Sequence, residues 1–67
     1  MPLVQVTMVE GRSQETKETI IKEVTDTIAR TADAPPETIR VILYEVPAGS
    51  WGIAGETKAK VDAKTTP

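Results

Sequence analysis

The first two residues, Met1-Pro2, carry the strongest chemical signal in a 67-residue chain that contains neither histidine nor cysteine. A methionine ahead of a small residue such as proline is trimmed during synthesis, and trimming leaves the Pro2 nitrogen as a free secondary amine. An α-amino group titrates at about 7.7–8.0 before any perturbation, closer to neutrality than Asp, Glu, Lys or Tyr. Pro2 is therefore the best-placed general base the chain offers at neutral pH. The plainer alternative is a proline that opens a strand, where its missing N–H does no harm. With Met1 retained, the Pro2 nitrogen is an amide and has no basic lone pair.

Three arginines follow. Arg30 lies four residues after Asp26 in a helical stretch and reads as half of a surface ion pair. Arg12, at the exit of a first strand, and Arg40, at the start of an otherwise apolar second strand, lack such a partner. An arginine placed like Arg40 is commonly explained by an interface ion pair. The chemical alternative is that Arg12 and Arg40 together clamp a dianion, since each guanidinium can grip a carboxylate through two parallel N–H bonds. Their field would also lower the pKa of a nearby ammonium and favour the free amine of Pro2.

Trp51, the only tryptophan, stands in the glycine-flanked stretch Trp51-Gly52-Ile53-Ala54-Gly55. It either anchors this arm on a neighbouring subunit or walls an apolar pocket. Tyr44 reads as core or interface, and Glu10, Glu45 and Glu56 as isolated, solvated carboxylates. Without His or Cys, the usual Ser–His and Cys–His nucleophiles and most transition-metal sites are excluded, so no metal is expected.

The elements that must position these groups follow from periodicity. Leu3 to Val9 is β-branched, with Val4, Val6 and Met8 on one face and Leu3, Gln5, Thr7 and Val9 on the other. Glu10-Gly11-Arg12 is a turn, and Ser13 is a good N-cap for a helix from Gln14 to Ala32. Ile20, Val24, Ile28 and Ala32 form its apolar stripe, widened by Ile21 and Ala29, while Glu18–Lys22 and Asp26–Arg30 are spaced as surface pairs. Asp33-Ala34-Pro35-Pro36 ends the helix, because residues before proline leave the αR region. Ile39 to Val46 is a second strand. Strand, helix, strand makes a βαβ unit with parallel strands and a right-handed crossover. The arm from Trp51 to Gly55 suits a short hairpin, and Thr57 to Pro67 a frayed tail.

A chain this short forms one domain, residues 1–67, and buries only about 60% of its unfolded surface. With disulfides excluded, partner subunits are the remaining source of stability. One helix also covers only one face of two strands, so the other face calls for a second chain. A net charge of −2 gives no nucleic-acid footprint. No apolar run approaches the roughly 20 residues that span a bilayer, and the N-terminus lacks signal-peptide character. A soluble, cytoplasmic protein without membrane or nucleic-acid partners is expected.

Met1-Pro2-Leu3-Val4-Gln5-Val6, Glu10-Gly11-Arg12-Ser13, Arg40-Val41-Ile42 and Gly49-Ser50-Trp51-Gly52-Ile53-Ala54-Gly55 together resemble the 4-oxalocrotonate tautomerase family, over the stretch from Pro2 to about Lys60. The resemblance implies an α/β fold: a β-α-β unit with parallel strands and a C-terminal hairpin arm. It also implies assembly into a hexamer, a trimer of dimers, as a homohexamer or with a second related subunit. Members are isomerases that interconvert enols and ketones without a cofactor, the type substrate being 2-hydroxymuconate, a dicarboxylate of aromatic degradation. Carried over, Pro2 takes the enol proton and returns it to carbon. Arg40, from a neighbouring subunit, binds the carboxylate and oxygen near the enol. Arg12 binds the distal carboxylate and draws electron density along the conjugated chain. Trp51 occupies a position that is usually phenylalanine and lines the pocket, with Val9 as a further substrate contact.

Two departures stand out: the bulkier indole of Trp51, and Ala54 where many members carry glycine. Gly52-Ile53-Ala54 holds no acid to activate water, which argues against the hydratase and dehalogenase chemistry of some relatives. A non-catalytic oligomer of this fold and a biosynthetic relative acting on a ring-containing enol are the competing readings. If Arg12 and Arg40 clamp substrate, Arg12→Ala and Arg40→Ala each weaken turnover of a dicarboxylate enol with the assembly intact. Normal turnover by both variants, measured beside gel filtration, would overturn the clamp.

Overall fold

Strand β1 (Leu3–Val9) leads through helix α1 (Gln14–Thr31) to strand β2 (Arg40–Val46), which pairs with β1 in parallel from Leu3↔Arg40 to Val9↔Val46. This is a computed structural model, and it describes residues 1–65. Ser13 caps α1 as its sequence predicts, its Oγ accepting the Thr16 N–H at 3.1 Å, a contact worth about 1 kcal/mol. The preceding turn places Gly11 at φ 132°, a conformation side chains disfavour.

The helix stops at Thr31, earlier than the prolines require. Asp33 adopts φ 52° and the Ala34 N–H donates to the Ala29 carbonyl at 3.2 Å, closing a Schellman-type end. Aspartate tolerates this left-handed conformation better than most residues. Pro35 and Pro36 then begin a 3₁₀ turn, Pro36–Thr38, that feeds β2.

Val4, Val6 and Met8 of β1 share a face with Val41 and Leu43 of β2, and all are half-buried beneath α1. From the helix, Ile20, Val24, Ile28 and Ala29 are half-buried, whereas Ile21 and Ala32, assigned to the same stripe by periodicity, are exposed. Lys17 Nζ meets Glu45 Oε1 at 2.8 Å and ties the first half of the helix to β2, so Glu45 is not the isolated carboxylate that its sequence context suggests. The expected surface pairs are also replaced. Asp26 leans over the preceding turn and takes Lys22 at 2.8 Å, in place of the Glu18–Lys22 and Asp26–Arg30 pairs. That hydrogen bond, aided by the charges of Asp26 and Glu23, raises the Lys22 pKa.

The opposite face of the sheet is open. Leu3 is 55% and Tyr44 48% exposed there, beside Ile42, and the Gln5 Nε2 donates to the Tyr44 Oη at 3.3 Å. Among the described residues only Ile39 is buried. The radius of gyration is 15.5 Å, against about 11 Å for a compact chain of this length. The surface is 4892 Å², against about 4,100 Å² for a folded monomer of this mass. The chain by itself thus leaves most of its apolar residues in contact with water.

Beyond a 3₁₀ turn at Ala48–Ser50, the arm forms a hairpin of β3 (Gly52–Ile53) and β4 (Glu56–Thr57). The stretch from Thr57, read from the sequence as a frayed tail, is instead largely helix α2 (Lys58–Thr65); residues 66–67 lie outside the described residues. The helix has identifiable causes. Thr57 Oγ1 accepts the Lys60 N–H at 3.2 Å as an N-cap, alanines and lysines favour helix, and Lys58 pairs with Asp62 one turn on. The two-residue hairpin loop has Ala54 at φ 51° and Gly55 at φ 88°, a type I′ turn that requires positive φ at both positions. An alanine there is strained by roughly 1–2 kcal/mol. Ala54→Gly is expected to stabilise the protein by about 0.5–1 kcal/mol, once the greater freedom of glycine in the unfolded chain is offset. An unchanged or lower thermal midpoint at fixed protomer concentration would contradict the strain.

Candidate active site

Parallel pairing decides which of the candidate residues can meet. The Pro2 carbonyl accepts the Arg40 N–H at 3.0 Å, so these two residues share the end of the sheet where both strands begin. Met1 is 86% exposed, and the bond to Arg40 uses the carbonyl of Pro2 rather than its nitrogen. Removal of Met1 therefore leaves this junction in place. The Arg40 guanidinium folds back on the turn before β2, its Nη1 donating to the Glu37 carbonyl at 2.8 Å and to the Ile39 carbonyl at 3.4 Å. A guanidinium carries five N–H donors, and Nε and Nη2 of Arg40 make no hydrogen bond to the described residues.

Val9, Arg12 and Trp51 gather at the other end. They line a cleft of about 510 Å³ together with Glu10, Lys58 and Asp62. The turn at Gly11 brings Arg12 back over the end of β1, where its Nη1 donates to the Val9 carbonyl at 3.1 Å. Trp51 is held from both sides: its N–H donates to the Ala48 carbonyl at 3.4 Å, and its carbonyl accepts the Lys58 N–H at 2.7 Å. Trp51 thus lines the cleft beside Met8, Val9 and Ala48, and most of the cleft's polar residues are charged.

A seven-residue strand is about 20 Å long at roughly 3.3 Å per residue. Pro2 with Arg40, and Arg12 with Trp51 and Val9, consequently form two separate clusters at opposite ends of β1 and β2. No small molecule reaches both within one chain. The Arg12–Arg40 clamp inferred from residue types has no counterpart inside a single chain, because parallel strands send the end of one and the start of the other in opposite directions.

Three charged cleft residues are not anticipated by the sequence: Glu10 reads there as a solvated carboxylate, and Lys58 and Asp62 lie in the stretch that reads as a tail. Thr57 as a cap, followed by lysines and alanines with an i, i+4 Lys58–Asp62 spacing, is the signal that would have found the latter two.

Residues 2–61 match the family model described as tautomerase enzyme, and the chain belongs to the tautomerase family. It is an isomerase of the keto–enol type. Over 61 residues it is 49% identical to a 2-hydroxymuconate tautomerase of Pseudomonas putida, covering 91% of this chain and 97% of that one. Its fold matches the crystal structure of TomN, a 4-oxalocrotonate tautomerase homologue in the tomaymycin biosynthetic pathway. That match has a TM-score of 0.94 at 32% identity and covers 97% of this chain and 100% of TomN. It also matches a heterohexamer 4-oxalocrotonate tautomerase from Chloroflexus aurantiacus J-10-fl, with a TM-score of 0.87 at 34% identity over 91% of this chain and 98% of the other. The β-α-β unit with parallel strands and the C-terminal hairpin expected from the sequence are therefore those of this family.

Proposed function

We propose that this protein, with Met1 removed, ketonises a small conjugated dicarboxylate enol such as 2-hydroxymuconate, with Pro2 as general base and no cofactor. The observation that carries this reading is the division of the site residues between the two ends of the sheet. A cleft holding Arg12, Trp51 and Val9 is completed when neighbouring chains present Pro2 and Arg40, which lie at the opposite end of the sheet. The nearly full-length similarity to 2-hydroxymuconate tautomerases supports the choice of substrate.

In this reaction the lone pair of the Pro2 nitrogen takes the proton of the enol hydroxyl. The electron pair left on oxygen forms the carbonyl, and the conjugated chain becomes nucleophilic at carbon. The ammonium of Pro2 then returns the same proton to that carbon and regenerates the amine. Arg40 binds the carboxylate and oxygen at the reacting end, while Arg12 holds the distal carboxylate and stabilises charge displaced toward it. The indole of Trp51 excludes water and disfavours the ammonium form of Pro2.

A homohexamer built as a trimer of dimers supplies the missing groups, and it also covers the open face carrying Leu3, Ile42 and Tyr44. A mixed hexamer with a second related subunit would satisfy the same geometry. No described helix is long and apolar enough to cross a membrane, and a cytoplasmic role in aromatic degradation fits the substrate. Trp51, together with the TomN match, favours one other reading, a ring-containing enol in the same site.

The test is ultraviolet-monitored ketonisation of 2-hydroxymuconate by oligomer whose intact mass shows Pro2 at the N-terminus. Pro2→Ala is expected to lose at least about a hundredfold in rate, the lower bound for a positioned general base. Equal rates would remove Pro2 from the mechanism, and no turnover by correctly processed oligomer would favour the ring-containing enol. Reassembling Pro2→Ala subunits with Arg12→Ala subunits is expected to restore activity at mixed sites, since the two groups come from different chains. Failure of co-assembled hexamers to recover activity would overturn that division of labour.

A further inference from the structure

We infer that Lys58 is a specificity-determining residue that joins Arg12 in binding the distal carboxylate of a dianionic substrate. This rests on the dicarboxylate reading of the same site. Lys58 and Arg12 line one cleft with Trp51. The position of Lys58 is fixed by its own backbone, because its N–H donates to the Trp51 carbonyl at 2.7 Å and it opens helix α2. Its side chain is only 34% exposed, and its Nζ is held one turn along α2 by Asp62 Oδ2 at 2.5 Å. The ammonium is thereby held against Asp62, and both residues line the cleft.

The donors left for a ligand are complementary. Arg12 spends part of its guanidinium on the Val9 carbonyl, and its remaining N–H groups present a planar fork that suits one carboxylate. Lys58 has three N–H donors, of which the bond to Asp62 uses one. As a compact point charge it can serve an oxygen lone pair that the fork leaves unfilled. Glu10 and Asp62 balance these two cations. The Asp62 side chain, however, is 54% exposed, so solvent screens its charge more than that of Lys58. Within this pair the cation is therefore the less screened partner, and a second carboxylate on the substrate can pair with it where a neutral group cannot.

The experiment compares an enol dicarboxylate with the enol monocarboxylate of the same conjugated skeleton, using Met1-free oligomer. Lys58→Met is expected to lower the ratio of kcat/KM values, dicarboxylate over monocarboxylate, about tenfold, with the loss carried in KM. Lys58→Arg is expected to recover most of it. A ratio unchanged in Lys58→Met, or an equal fall for both substrates, overturns the assignment. If the parent turns over neither enol, the proton-transfer reading has failed, and calorimetry then judges Lys58 alone. A saturated dicarboxylate of matching length is then expected to bind about tenfold more weakly to Lys58→Met. Equal affinities, or no binding by the parent, overturn the inference. Gel filtration checks assembly, and Lys58→Gln replaces the methionine variant if that one fails to assemble.

Discussion

Everything about this chain depends on the parallel direction of β1 and β2. Two antiparallel strands could have brought the end of one beside the start of the other. Parallel strands separate them by the full length of the sheet, and that separation pulls Pro2 and Arg40 away from Arg12, Val9 and Trp51. The crossover helix that parallel pairing demands also occupies one face of the sheet and leaves the other to water. The division of the site and the lack of an interior are therefore two results of one topological choice.

A chain with one buried residue among those described cannot be treated as a self-sufficient fold. The forces that hold it locally are modest: a serine cap, a Schellman-type end, a largely covered Lys17–Glu45 pair and a short hairpin. The larger hydrophobic contribution is available only where Leu3, Ile42 and Tyr44 meet another surface. In the proposed hexamer, assembly and site formation become the same event, because the surfaces that need covering belong to the strands that carry the site residues at their ends.

Much of the molecule was legible in its sequence. The period-2 strands, the Ser13 cap and the single amphipathic helix fixed the βαβ unit, and the unpartnered face followed from counting faces. Even the separation of Arg12 from Arg40 was implicit, since one ends a strand and the other begins its parallel neighbour. What was misread depended on competition between local options. Glu18, Lys22, Asp26 and Arg30, four residues apart along α1, allow several i, i+4 pairs, and side-chain lean selects Lys22–Asp26. The sequence points to Pro35 and Pro36 as the helix stop, although Asp33 ends it first by accepting a positive φ. Helix α2 was missed because its polar composition resembles a tail; contacts with Trp51 and the cap at Thr57 decide otherwise.

The same pairing has a kinetic side. Every partner pair from Leu3↔Arg40 to Val9↔Val46 is separated by an equal length of chain, so no pair is cheaper to close than another and the sheet cannot zip outward from a tight turn. Its closure entropy must be met nearly all at once. Eighteen residues of that loop lie in α1, which once formed spans about 27 Å and replaces a flexible tether by a rod a little longer than the strands. Ser13 and Asp33, at the two ends of that rod, are therefore among the residues that set how fast the strands find each other.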